Sequence, residues 1–435
     1  MTIKPCSRRG QHVTRCIVFS IVATFGINAH AAQSKESGQS LERTKAHVTL
    51  HRWLNHSVDN HPTALAAESA VDSANYQLVA ADKALYNPEL EFDAETAETD
   101  SASIGLSQKI DWGDTRGART EMAGFRRTAV QFNFESVRRE LAVKFLSGLA
   151  DYHTSAALKD LAKQGEELMQ QSAQLSKQRY DAGDLTKVDV DLANLTYAQA
   201  RFKLADATSE SARATQNLIA LTGSANKNWP QMLADYPEPE TQAQDIDKTV
   251  QQLPRMREIT ARVKSAQANV NVQTGQASVK PTISIRAGKE EEDKLLGLNL
   301  SIPLHIRNNF RAEIDSANSE MIQAEREAID AYRILKSRLE IAIISYDLSR
   351  GAWLTWKESG ADTLNEQIKL LERLWTAGEL NTTDYLIQLT QALETKASAI
   401  EQRGRMWSDW SEWLIASGKI KQWLNSAPSN ITREQ

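Results

Sequence analysis

Apolar positions change period along the chain. Leu90, Phe92 and Ala94 alternate with Glu89, Glu91, Asp93 and Glu95, and Ile104, Leu106, Ile110 and Trp112 alternate with mostly small or polar residues. Farther on, Ile283 and Ile285 alternate with Ser284 and Arg286. Leu296, Leu298, Leu300, Ile302 and Leu304 alternate with Gly297, Asn299, Ser301 and Pro303. A period of two predicts strands with one apolar face. The polar links 98–101 and 290–293 predict hairpin turns. Each strand has about the ten residues that cross a bilayer when tilted. A spanning sheet must close, because lipid cannot satisfy an open edge. Four strands fall short of the roughly eight in the smallest barrels, so spanning strands must share a barrel between chains. Two copies or three satisfy that count equally, and a half-buried sheet away from lipid also fits the alternation.

Elsewhere spacings of three and four take over. No proline occurs from Glu89 to Trp229 or from Leu304 to Ala427. Helices are predicted over 118–180 and 311–375, each about 95 Å long if unbroken. Return helices follow over about 184–221 and 379–416. Leu185, Val188, Leu192, Leu195 and Phe202 form one seam; Leu386, Leu389, Leu393, Ile400, Trp407, Trp410 and Leu414 form the other. This is the spacing of coiled-coil packing. Lys396 and Arg403 fall on the second seam, where stems can pack while charges reach water. Trp407, Trp410 and Trp413 read as core rather than as a cofactor stripe. Helical stretches over 48–85 and 246–278 are broken by Pro62 and Pro254.

Each long hairpin turns at a glycine, the residue that takes a left-handed conformation after a helix. Gly183 and Gly378 are 195 positions apart; at that offset Ala182 meets Ala377, Leu185 meets Leu380 and Asp189 meets Asp384. Without a gap, the same offset pairs Leu221-Thr222-Gly223 with Ala416-Ser417-Gly418. The chain is therefore read as an internal duplication, mainly α with a small β part. Residues 32–223 form the first repeat, with a β-hairpin at about 88–113 and a helical hairpin at about 118–223. Residues 224–249, with Pro230, Pro237 and Pro239, form a linker. Residues 250–418 repeat the plan, with a β-hairpin at about 281–304 and a helical hairpin at about 311–418. A tail, 419–435, ends the chain and is polar and expected to be loose after Trp423.

The N-terminus reads as a secretory signal over 1–31. Lys4, Arg8, Arg9 and Arg15 precede a short apolar run and an Ala29-His30-Ala31 cleavage site. Both cysteines, Cys6 and Cys16, fall inside it, which removes thiol chemistry and disulfides from the mature chain. Losing its four positive charges takes the formal charge from −5 to −9, which argues against a nucleic-acid partner. No phosphate loop and no His-Glu-x-x-His occur, so no enzyme and no cofactor is expected.

In their order and doubling these residues resemble the TolC-like outer-membrane efflux proteins. The resemblance covers nearly the whole mature chain. It rests on the tips Arg179-Tyr180-Asp181-Ala182-Gly183-Asp184-Leu185 and Arg373-Leu374-Trp375-Thr376-Ala377-Gly378-Glu379-Leu380, on the Asn60-His61-Pro62 break, and on Asn87-Pro88-Glu89-Leu90. Residues 108–119 and Ile302-Pro303-Leu304-His305-Ile306-Arg307-Asn308-Asn309 are similar to the heavy-metal (CzcC/CusC-like) branch. The resemblance implies a homotrimer with a shared twelve-stranded barrel in outer-membrane lipid and a helical barrel across the periplasm. It implies that the glycine tips dock a periplasmic adaptor, itself bound to an inner-membrane pump of RND type. The channel would be passive.

The expected adaptor-docking residues are Arg179, Tyr180, Gly183, Leu185, Arg373, Trp375, Gly378 and Leu380; the glycines serve equally as helix caps. Asp384 matches a family position that rings the periplasmic entrance, with Asp189 at the other tip. Three residues beyond Asp384, where the family has a second acid, this chain has Ile387. Asp384 also suits a helix N-terminus. Glu89, Glu91, Asp93 and Glu95 would line the lumen and favour cations. His47 and His51, four apart, are weak metal candidates. Cargo stays open between heavy-metal cations, drugs or other organic compounds, and secreted proteins. A periplasmic coiled-coil adaptor is the alternative from another class.

Overall fold

The computed structural model describes residues 48–96, 100–226, 228–233, 236 and 246–425. Residues 1–31, expected as a secretory signal, together with His47 and the end of the tail, lie outside these. A first helix, α1, includes residues 48–59. Pro62 starts the next, α2 (Pro62–Ala81), whose His61 cap accepts from the Thr63 amide. Proline suits that position because its missing N–H has no intrahelical partner there. α2 stops at Ala81, short of residue 85, where the sequence pattern had placed its end.

The strands are β1 (Glu89–Thr96), β2 (Asp100–Lys109), β3 (Thr282–Glu290) and β4 (Asp293–Ser301). They form one antiparallel sheet in the order β1-β2-β3-β4. Asp100 and Ser101, expected in a turn, instead open β2 and pair with Thr96 and Glu95. The second turn is Glu291-Glu292, with Glu290 paired to Asp293.

Long helices follow each β-hairpin. α3 (Thr115–Asp181) has 67 residues, and α4 (Lys187–Thr222) returns along it. α5 (Ile246–Gln252) and α6 (Pro254–Ala277) are separated at Pro254. α7 (Arg311–Thr355) leads into a π-turn (Trp356–Gly360), then α8 (Ala361–Thr376) and the return helix α9 (Thr382–Ala416). The second long helix is thus broken, which the absence of proline did not reveal. The Trp356 ring lies against Gly360, where any Cβ would collide with it. The return helices begin three residues later than their pattern suggested, because Thr186 and Asn381 cap them.

The main core gathers Leu50 and Leu54 of α1, Phe145, Leu146 and Leu149 of α3, Tyr346 of α7, and Trp410, Trp413 and Leu414 of α9. The tryptophan stripe is core, as expected. The linker is not merely a connector, since Trp229, Met232 and Leu233 are buried in this cluster. The tail opens on α10 (Ile420–Asn425), which buries Ile420, and Trp423 packs edge-on against Trp410. The second seam is buried or half-buried throughout. Arg403 does not send its charge to water. Its guanidinium lies 4.9 Å from the Trp407 ring and 5.8 Å from that of Trp353. The first seam is different. Val188, Leu195 and Phe202 are 75%, 69% and 71% exposed, while α4 packs through Ala193, Ala214 and Leu218. Periodicity identified an apolar face that no other part of the described residues covers.

Candidate functional site

The tips are built from matched turns. Gly183 (φ 87°) and Gly378 (φ 80°) are left-handed, as are Gly223 and Gly418 at the repeat ends. At the first tip the Asp184 amide donates to the Arg179 carbonyl (2.8 Å) and Gly183 to Tyr180 (2.9 Å). At the second, Glu379 donates to Leu374 (2.9 Å) and Gly378 to Trp375 (3.1 Å). This paired bonding satisfies the last carbonyls of each helix. Each return helix then starts on a cap. The Asp189 amide bonds Thr186, whose own amide and hydroxyl donate back to the Asp189 carboxylate at 3.0 and 2.6 Å. The Asp384 amide donates to Asn381 at 2.8 Å, and the Asn381 amide group returns a 2.6 Å bond to the Asp384 carboxylate. Both candidate entrance acids are therefore held as third residues of their helices. The Thr186 hydrogen bonds keep the Asp189 carboxyl below its ordinary range. Asp384 is solvent-exposed.

The two tips are joined within the chain. Arg179 of α3 donates to the Trp375 and Thr376 carbonyls of α8 and lies over the Trp375 ring. Trp375 stacks on Tyr385 of α9, with ring centroids 4.4 Å apart and planes 3° apart. The Thr383 hydroxyl reaches Asp189 at 3.5 Å. Below them Met169, Ala193, Leu371, Leu386 and Leu389 close a second apolar cluster. Of the expected docking residues, Tyr180 and Gly183 are exposed and Leu185 and Leu380 half-buried, whereas Trp375 is core. Arg373 and Gly378 lie on the surface. Sequence reading gave no role to Thr383 and Tyr385, although both lie within the second tip signature, residues 373–385.

The sheet separates its faces cleanly. Register puts Leu90, Leu106, Ile285 and Leu298 in one row, and Phe92, Ile104, Ala287 and Leu296 in the next. These apolar side chains are exposed. Glu89, Glu91, Asp93 and Glu95 occupy the other face, opposite Ser107, Gly105, Ser103 and Ser101. The small residues of β2 leave room for long neighbours. Arg286 Cγ lies 2.9 Å from where a Cβ on Gly105 would sit. Arg286 thus adds a cation to the acidic face, and Glu290 and Asp293 extend that face toward the turn. None of the exposed strand acids contacts another chemistry-bearing group closely enough to form an ion pair among the described residues.

His51 is buried against Trp423, 4.0 Å between ring centroids, and its Nδ1 faces the Leu424 carbonyl at 3.3 Å. That gives it a packing role where α1 meets α10. Among the described residues no group of three or more His, Cys, Asp or Glu could hold a metal. No described helix is long and apolar enough to cross a membrane.

Residues 53–224 match the model of the family described as outer membrane efflux protein. The cobalt-zinc-cadmium resistance protein CzcC of Cupriavidus metallidurans is 24% identical over 380 residues, spanning 84% of this chain and 90% of that protein. The outer-membrane channel OprN shares the fold with a TM-score of 0.71 at 13% identity, over 85% of this chain and 90% of its own. CusC, studied for conformational changes in folding and transmembrane channel formation, gives 0.70 at 15% identity, over 85% and 92%. The matched family segment contains the first β-hairpin and the entire Gly183 hairpin. Over residues 53–224 the chain is therefore similar to the outer membrane efflux protein family, and over most of its length it shares the fold of these solved outer-membrane channels.

Proposed function

We propose that this chain is one protomer of a homotrimeric outer-membrane channel, the exit duct of a tripartite efflux system, and that its cargo is heavy-metal cations. The sheet carries the reading. Its apolar face is exposed, and its edges, β1 and β4, have no partner strand within the described residues. In lipid such edges must pair. Two further copies supply about twelve strands, within the range of known barrels.

The remaining features fit the same assembly. Residues 1–31 would be cleaved on export. The tips and the heptad-spaced Val188, Leu195 and Phe202 offer a periplasmic adaptor a coiled-coil seat, and the adaptor would connect to an RND-type pump. The strand acids, repeated in each copy, raise cation concentration in the lumen. Heavy-metal cargo is supported by the likeness to CzcC, whose name ties that protein to cobalt, zinc and cadmium. The channel itself supplies no energy.

Growth of a strain lacking this gene on graded cobalt, zinc and cadmium, alongside dyes and detergents, tests the cargo. Metal sensitivity restored by the intact gene, and not by one altered at Gly378 and Asp384, is the expected result. Sensitivity to dyes and detergents alone would discard the metal assignment and retain the duct.

A further inference from the structure

Two lysines break the local rule of the sheet. Lys289 on β3 and Lys294 on β4 are directly opposed in the register. Like charges at that position lie about 5 Å apart at Cβ and destabilise a sheet. Both side chains are exposed, and neither forms an ion pair among the described residues.

Their face makes the pairing more unusual. Counting along the register, Lys289 and Lys294 share the apolar face with Ala287, Leu296, Ile285 and Leu298. Glu290 and Asp293, their neighbours along the strands, point to the opposite face, because side chains along a strand alternate, and the acid on the lysines' own face is Asp100, one step beyond Ala102 toward the turn. Beside the lysines, Ala94 and Ala102 complete the row and leave a shelf of small residues. The row lies next to the Glu291-Glu292 turn, at the end of the sheet away from the long helices. An apolar band thus ends in a flat row of two cations beside two methyl groups.

We infer that Lys289 and Lys294 bind the phosphate of a phosphorylated lipid headgroup in the outer leaflet. This rests on the channel reading, which turns the apolar face to lipid and the Glu291-Glu292 turn to the exterior. A phosphate between the ammonium groups removes their repulsion and matches their charge, while its acyl chains continue along Leu296 and Leu298. The lumen side of the same rim is acidic and repels such a headgroup. The segregation of charge between faces therefore selects where the lipid sits.

The test uses the full-length protein extracted from outer membranes in mild detergent. Phosphorylated glycolipid retained per protein is measured by native mass spectrometry. Wild type is expected to retain it, the pair Lys289→Gln and Lys294→Gln to lose it several-fold, and Lys289→Arg with Lys294→Arg to restore it. Arg286→Gln, on the opposite face of β3, is expected to retain it fully. Added inorganic phosphate is expected not to displace the lipid. Equal retention by the double glutamine variant, or displacement by phosphate alone, would overturn the inference. Outer-membrane fractionation and single-channel current, measured on the same preparations, separate the two readings. A protein that fails both contradicts the channel itself, and one that passes both with unchanged lipid contradicts only the lysine site.

Discussion

Arg179 covers Trp375 across the two tips, its guanidinium 5.5 Å from the ring centroid and bonded to the Trp375 and Thr376 carbonyls at 3.2 and 3.1 Å. One side chain from the first repeat therefore caps a helix of the second. A cation at a helix C-terminus contributes about 0.3–1 kcal/mol, and its contact with the ring a similar amount. Replacement by Gln is expected to loosen the second tip more than the first. Hydrogen exchange at 373–385 is expected to quicken several-fold, with the main core unchanged. Unaltered exchange there would show that the tie does not hold the tips together.

The tip glycines make a separate prediction. Nothing lies within 4 Å of a Cβ placed on Gly183 or Gly378, so substitution meets backbone strain rather than a clash. Alanine in the left-handed region costs about 1–2 kcal/mol, and asparagine less. Gly378→Ala is expected to destabilise and Gly378→Asn to recover part of the loss, as read by chemical denaturation. Equal stability of both with wild type would refute the strained turn.

Packing between repeats gives the opposite case. A Cβ on Gly404 of α9 would collide with Thr154 of α3. Gly404→Val is expected to cost about 1–3 kcal/mol through overpacking. Thr154→Gly in the same chain is expected to recover part of this in thermal unfolding. Additive losses would show that the two positions do not meet.

Acid is expected to weaken the dock between linker and core. His153 of α3 donates through Nε2 to the Pro230 carbonyl at 2.9 Å. Burial, reinforced by the Arg403 charge, holds its pKa below the ordinary value. The unfolded chain then binds more protons below about pH 6.5. Stability from neutral His153 is full above that value and is lost as pH falls toward the folded pKa. His153→Gln is expected to flatten the fall of the melting temperature between about pH 7 and 5. An unchanged slope would remove His153 as its source.

Much of this architecture was legible because it repeats or alternates. The 195-residue offset located both left-handed turns, and period-two alternation found four strands, although it carried β2 on to Ile110 and Trp112 and β4 on to Ile302 and Leu304, which lie beyond their ends at Lys109 and Ser301. What escaped depends on partners distant in sequence. Periodicity drew a seam through Val188, Leu195 and Phe202 but could not say whether this chain covers it. Prolines marked the linker as irregular, while Trp229, Met232 and Leu233 pack only because the core offers them a surface. The π-turn at Trp356 is a matter of one ring against Gly360. Asp189 and Asp384 were read for charge, and their capping bonds became visible only with Thr186 and Asn381 in place.

The central claim is that this chain forms a cation-favouring pore. Purified protein in a planar bilayer, under a salt gradient, measures conductance and selectivity together. The account predicts discrete channels with a reversal potential favouring cations. It also predicts that this preference shrinks when Glu89, Glu91 and Glu95 become Gln and Asp93 becomes Asn, with conductance retained. Absence of channels from correctly inserted protein would contradict the account, and anion preference in wild type would contradict its view of the lumen.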